Sequence, residues 1–214
     1  MRTQTGLLKG LFRTTGSNVC PLGVKEEGYL PGRTVVHRTD KIRGAGKPLL
    51  AFFKLGKEVA AMGVDAVSVI APYFVPLKQN ELIYHYTAIA DAVPVPVFLY
   101  NIPGRTGNTI EPSTAATLAA HPNIVGIKDT VDTISHTRKV IRAARAVNPE
   151  FTVFSGFDEY YLVNRVSGGN GVLCGLTNVE PETFVKMHAA YEKGDFATAV
   201  ACAERISKLM AVYD

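Results

Sequence analysis

Short apolar runs alternate along this chain with longer segments whose apolar positions return every three or four residues, the pattern of buried strands and amphipathic helices in turn. The clearest unit lies between Val95 and Asp129. There VPVFLY closes on Tyr100 and the loop NIPGRTGN follows. EPSTAATLAAH, from Glu111 to His121, carries helix formers behind a Pro112-Ser113 start, and IVGIK closes on Lys128. The spacing predicts strand, loop, helix, strand.

Similar units flank it. Leu49 to Met62 has helical spacing with Gly63 as its stop, and Asp65 to Ala71 reads as a buried strand that Pro72-Tyr73-Phe74 ends. Gln79 to Val93 is a helix with Asn80 as its cap and Leu82, Ile83, Tyr86, Ile89 and Ala90 on one face. Downstream come a helix from about Asp132 to Val147, a strand at Phe151 to Ser155, a helical stretch near Glu159 to Val166 and a short run from Gly171 to Cys174. Two helices follow, roughly Pro181 to Glu192 and Asp195 to Tyr213. Upstream, Gly6 to Phe12 forms a short strand-like run. From Cys20 to Lys47, Pro21, Gly23, Gly28, Pro31 and Gly32 break the helical period hinted at by VKEE and RTVVHRT, and no structure is assigned there.

Candidate strands fall near residues 9, 43, 69, 98, 126, 153 and 172, about seven in all. Those near 69, 98, 126 and 153 recur at intervals of about 28 residues, one βα unit per interval. That regularity points to an α/β protein with a parallel sheet, a (β/α)8 TIM barrel rather than a doubly wound sheet, in a single domain over residues 1–214. A closed barrel of this class uses eight strands and about 250 residues. By the spacing, one unit is missing before Gly6.

Composition narrows the class. The 214 residues are 47% hydrophobic and 20% charged, enough to bury a substantial core. The net charge of +4 is spread over 23 basic and 19 acidic residues without a long basic run, so nothing points to nucleic acid. No apolar stretch approaches the roughly 20 residues that span a bilayer, and no signal core is read, so no membrane contact and a cytoplasmic location are expected. Cys20, Cys174 and Cys202 are widely spaced and show no CxxC pairing, which indicates neither a disulfide framework nor a zinc site. His37, His85, His121, His136 and His188 share no metal spacing.

In parallel α/β folds the C-terminal ends of the strands collect the chemistry, because the following loops open there. Tyr100 and Lys128 both end strands. Position alone leaves each open: a strand-end lysine can snorkel to solvent, and a tyrosine can be a core aromatic with a satisfied hydroxyl. Thr14-Thr15-Gly16 alone is a turn, and Asp158-Glu159 alone is a helix N-terminal charge pair.

Taken together, the motifs resemble the dihydrodipicolinate synthase and N-acetylneuraminate lyase family of Schiff-base aldolases. They are TTG at Thr14 to Gly16, PYF at Pro72 to Phe74, YNIP at Tyr100 to Pro103, GIKD at Gly126 to Asp129, SGFDE at Ser155 to Glu159 and GGNG at Gly168 to Gly171, all in the family's order. The resemblance implies that Lys128 condenses with the keto group of pyruvate or another 2-keto acid. A lysine in a low-dielectric barrel mouth has its charged form disfavoured, which frees the amine as nucleophile. Tyr100 would relay protons, and Thr14, Thr15 and the backbone at Gly16 would hold the keto acid's carboxylate. The resemblance also implies a homotetramer, with no metal and no organic cofactor.

The substrate markers are split. Arg105 resembles the synthase branch, where an arginine at this place binds the carboxylate of the aldehyde partner. Asp158 and Glu159 resemble the lyase and sugar-acid aldolase branch, where acidic residues meet substrate hydroxyls. Phe74 stands where the synthase branch has a tyrosine that completes a proton relay, and a phenylalanine transfers no proton. The reading is therefore a class I aldolase that cleaves or condenses a 2-keto-3-deoxy sugar acid or related hydroxylated keto acid. The alternative within the family is dihydrodipicolinate synthase, with a keto-deoxy sugar acid dehydratase as a third reading. Against the family's pattern the first strand and helix and the last C-terminal helices are absent. A reading of another class follows from that: an inactive truncated remnant that binds keto acids or an intact homologue.

Overall fold

In the computed structural model, backbone is described for residues 34–37 and 48–213, and side chains for 54–213. Gly6 to Phe12, Thr14 to Gly16, Cys20 and the candidate strand near residue 43 lie outside the described residues. The chain divides into two compact units, one spanning Arg33–Val153 and one whose described part is 154–213.

The first unit repeats strand and helix. Its elements are β1 (Thr34–His37), α1 (Pro48–Ala61), β2 (Ala66–Ile70), α2 (Gln79–Ala92), β3 (Val97–Asn101), the short α3 (Pro103–Thr106), α4 (Pro112–Ala119), β4 (Ile124–Asp129) and α5 (Ile134–Val147). Strands β1 to β4 pair in parallel and in chain order. Sequential order without a switch point is what successive βα units of a barrel produce, whereas a doubly wound sheet reverses. Strand β1 corrects the reading of RTVVHRT as a hint of helix. Thr34, Val35 and Val36 are β-branched and favour the pleated backbone, and each has a partner waiting on β2 at Ala66, Val67 and Ser68.

Apolar periodicity builds the helices as expected, with one correction. On α2, Leu82, Tyr86, Ile89 and Ala90 are buried, each large side chain contributing about 1.5–3 kcal/mol by leaving water. The cap of that helix is Lys78, not Asn80, which lies inside the first turn. Glu81 explains the difference: its carboxylate accepts the Lys78 N–H at 2.7 Å, fixing the helix start one residue before Gln79. Helix α4 begins at Pro112, where proline's missing N–H costs nothing, and α1 is followed by Gly63 at φ 78°.

His85 on α2 packs its ring edge-on against Tyr86, and burial lowers its pKa from 6.5 to about 4. Because the folded value lies below the unfolded one, the unfolded chain takes up the proton first as pH falls. The stabilisation is complete above pH 6.5 and is lost as pH drops toward 4, by up to about 3 kcal/mol. Urea midpoints measured from pH 7 to pH 4 should show this loss, and His85→Gln should flatten that part of the curve.

The β3–β4 ladder contains a register shift. Val97 pairs with Ile124, but Phe98 pairs with Gly126, leaving Val125 as an extra residue on β4. A bulge re-aims the strand beyond it, and here it places Tyr100 opposite Lys128 rather than opposite Ile127. Gly126 is sterically required at this point. A Cβ there would collide with the Phe98 ring and come within 2.6 Å of the Thr152 carbonyl oxygen. Backbone cannot step aside as a side chain can, so Gly126→Ala should destabilise the chain by about 1–3 kcal/mol or more. A lowered urea midpoint would register it, and an unchanged one would contradict the packing.

Strand β5 (Thr152–Ser155) leads into the second unit. There a 3-10 turn (Asp158–Tyr160), α6 (Tyr161–Val166), β6 (Gly171–Val172), a second 3-10 turn (Leu176–Asn178), α7 (Pro181–Glu192), α8 (Phe196–Leu209) and a last 3-10 turn (Met210–Tyr213) follow, and β6 pairs with β5 in parallel. Tyr161, Leu176, Phe184, Met187 and Ile206 form its core. The GGNG stretch is explained by space and backbone. A Cβ on Gly169 would run into the Asn164 amide, whose Oδ1 accepts the Gly171 N–H at 2.8 Å, and Gly168 and Gly171 have φ of 89° and 129°. Cys174 and Cys202 are buried in this unit. No helix among the described residues is long and apolar enough to cross a membrane.

Candidate active site

Tyr100 and Lys128 are register partners at the ends of β3 and β4, and both are half-buried. Lys128 Nζ donates to the Tyr100 hydroxyl at 3.2 Å and lies 4.2 Å from the centroid of the same ring. A primary amine and a phenol are thus held within proton-transfer distance, with the amine over the ring face. That geometry suits attack of the amine on a carbonyl carbon with a phenol at hand to receive or return a proton. One residue further on, Asn101 and Asp129 are also register partners, and both are fully buried.

Arg105 sits on α3, just past the YNIP motif. It is exposed, in the turn that Gly107 closes with φ 73° and a hydrogen bond from its N–H to the Pro103 carbonyl at 2.8 Å. Phe74 stands at the C-terminal side of β2, 91% exposed, with its ring 4.7 Å from that of Tyr73. Its φ of 73° is left-handed, a conformation that costs a bulky residue about 1–3 kcal/mol. The strain is held by Asn108, which is buried in the loop after Arg105. Asn108 Oδ1 accepts the Leu77 N–H at 2.7 Å, and its Nδ2 donates to the carbonyls of Pro72 and Val75 at 2.7 and 2.9 Å. Gln79 ties the same region from α2, donating to the Thr109 carbonyl and accepting from Thr114 Oγ1. Neither Asn108 nor Gln79 is among the site residues expected from the sequence. The signal for Asn108 was its place in YNIPGRTGN; Gln79 had none.

In the second unit, Asp158 is buried and its carboxylate accepts the Leu176 N–H at 2.6 Å and the Tyr213 hydroxyl at 3.3 Å. Glu159 is exposed and accepts from Ser207 Oγ at 2.7 Å. Burial and the neighbouring Asp158 push the Cys174 thiol well above its ordinary range, which keeps it protonated and unreactive at neutral pH. Tyr161 and His188 form a neutral pair at 2.6 Å. Burial raises the phenol to about 12 and lowers the imidazole, and the Tyr161 hydroxyl and His188 Nδ1 share one hydrogen bond. Among the described residues no group of three or more His, Cys, Asp or Glu side chains is placed to hold a metal ion.

A strand-end lysine against a tyrosine on a parallel sheet of successive βα units defines an α/β protein with an amine and a phenol side by side at one sheet edge. Residues 42–213 match the model of the dihydrodipicolinate synthetase family, and the chain belongs to that family. It is 36% identical over 178 residues to the probable 2-dehydro-3-deoxy-D-pentonate aldolase YjhH of Escherichia coli, covering 82% of this chain and 59% of that protein. It is 42% identical over 140 residues to the 4-hydroxy-tetrahydrodipicolinate synthase of Methanosphaerula palustris, covering 65% and 47%. Among solved structures, YagE of E. coli in complex with pyruvate superposes with a TM-score of 0.73 at 33% identity, covering 75% of this chain and 54% of that one. The chain thus spans about half to three-fifths of the length of these relatives. Its fold class is that of the family's (β/α) barrels.

Proposed function

We propose that the protein is a class I aldolase in which Lys128 forms an imine with pyruvate or another 2-keto acid, acting on a 2-keto-3-deoxy sugar acid or related hydroxylated keto acid. The observation that carries this reading is the 3.2 Å contact between Lys128 Nζ and the Tyr100 hydroxyl at register-paired strand ends. The free amine attacks the keto carbon, a carbon–nitrogen bond forms, and the carbonyl oxygen leaves as water after taking up protons. The protonated imine then accepts the electron pair of the bond between the third and fourth carbons as it breaks. The hydroxyl on the fourth carbon gives its proton to the Tyr100 oxygen and departs as the aldehyde, and the enamine left behind is protonated at the third carbon and hydrolysed by water, freeing pyruvate and the Lys128 amine. Tyr100 carries the protons of both stages. In this reading Thr14, Thr15 and Gly16 hold the keto acid's carboxylate, and Asp158, Glu159 and Phe74 meet the rest of the substrate. The reaction needs no cofactor and the protein works as a homotetramer, as the family resemblance implies, with the cytoplasm as the location expected from its sequence.

Two similarities support the sugar-acid branch, those to YjhH and to YagE, whose structure holds pyruvate. Phe74, which has no proton to give, supports it as well. A second reading, 4-hydroxy-tetrahydrodipicolinate synthase, is favoured by Arg105, whose exposed guanidinium has no ion-pair partner among the described residues. The separating experiment assays cleavage of keto-deoxy sugar acids beside condensation of pyruvate with aspartate semialdehyde. Activity in the second assay alone would sink the preferred reading. Borohydride reduction with pyruvate, followed by mass spectrometry, tests the imine itself; a folded chain without an adduct on Lys128 would leave the non-catalytic reading.

A further inference from the structure

Side chains alternate across a strand, so Asn101 and Asp129 face away from the side that Tyr100 and Lys128 occupy. There they are bonded to each other. The Asn101 amide donates to Asp129 Oδ1 at 2.8 Å, and Asn101 Oδ1 accepts the Ile110 N–H at 2.9 Å, just ahead of α4. Asp129 Oδ2 accepts from Thr137 Oγ1 at 2.7 Å and lies 3.1 Å from Nδ1 of His136, both residues in the first turn of α5. A buried carboxylate is costly unless donors surround it, and here three do. Beyond this point the ladder has a single further bond, from the Thr130 N–H to the Asn101 carbonyl at 2.8 Å.

The bridge therefore joins the last residues of two strands whose preceding residues carry the reactive pair. Relative sliding of the two ends would move Nζ away from the hydroxyl, and misplacement by about 1 Å can cost about a hundredfold in rate. We propose that Asn101 and Asp129 are positioning residues, and that their bridge, rather than the α5 donors, holds Lys128 against Tyr100 for imine formation. The inference rests on the imine chemistry above.

The two roles of Asp129, bracing the strand ends and bonding the first turn of α5, separate by substitution. Asn101→Asp keeps the acceptor for Ile110 but sets two carboxylates against each other. Combining it with Asp129→Asn restores an amide–carboxylate bridge with its polarity reversed. Thr137→Val removes a donor from α5 and leaves the bridge intact. Each full-length variant is treated with borohydride over a series of pyruvate concentrations, and the trapping rate is read by mass spectrometry. Asn101→Asp should lower the maximal rate about tenfold or more with half-saturating pyruvate little changed. The swapped double variant should recover most of that rate, while Thr137→Val should trap at the wild-type rate despite a lower melting temperature.

A folded Asn101→Asp protein trapping at the wild-type rate overturns the proposal. So does a loss in Thr137→Val and Asn101→Asp alike that merely follows their melting temperatures. If Asn101→Asp does not fold, the swapped variant decides, since a folded swap that traps about tenfold slower than wild type is equally fatal. A wild-type chain that traps no pyruvate overturns the imine reading itself and this inference with it.

Discussion

Lys128→Ala should abolish the borohydride-trapped pyruvyl adduct and lower turnover by on the order of 10³ or more. No other amine is presented in the same way on these two strands, and among the described residues Nζ donates its hydrogen bond to the Tyr100 hydroxyl. Lys128 is half-buried at a strand end, so truncation leaves the ladder in place and the fold should survive. Lys128→Arg is the sharper control. A guanidinium keeps the charge and the length, but it is not deprotonated in proteins and supplies no nucleophile. Both variants should therefore be equally dead in trapping while keeping wild-type circular dichroism. A pyruvyl adduct on the arginine or alanine protein at the wild-type rate would place the reactive amine elsewhere.

Tyr100→Phe is expected to have the next largest effect, a fall of about 10²-fold in the maximal rate with half-saturating pyruvate little changed. The substitution keeps the ring that lies 4.2 Å from Nζ and removes only the oxygen 3.2 Å from it. If the ring alone mattered, through its packing and its electron-rich face, phenylalanine would preserve activity. If the hydroxyl moves protons, both formation and hydrolysis of the imine slow while binding of the keto acid does not. Stopped-time trapping and the steady-state cleavage assay should report the same loss. A change of less than about threefold in both would remove Tyr100 from the proton path.

Helices and strands were legible where one physical requirement repeats. Leu82, Tyr86 and Ile89 recur at helical spacing because one face of α2 must be buried, and the β-branched and aromatic runs ending at Tyr100 and Lys128 must be buried on both sides. The juxtaposition of Tyr100 and Lys128 was readable because strand ends and family motifs coincide. What stayed hidden depends on partners distant in sequence. The bulge at Val125 follows from packing Gly126 between Phe98 and Thr152, and no local pattern announces it. Asp129 and Asn101 meet across 28 positions, and Asn108 reaches back more than 30 to the loop after β2. Asp158 looks locally like a dipole partner for its own helix, yet its carboxylate is captured by Leu176, 18 residues downstream. Thr34 to His37 was obscured because neighbouring glycines and prolines mask a strand whose partner, not its own sequence, makes it one.

Among the described residues, the side chain of Asn108 bonds only to the segment from Pro72 to Leu77. That segment and Asn108 therefore behave as one transplantable module. An engineer exchanging the Phe74 loop for that of a relative must carry the matching residue at position 108 as well. Without it, three backbone groups lose their partner and the left-handed Phe74 loses the frame that holds it.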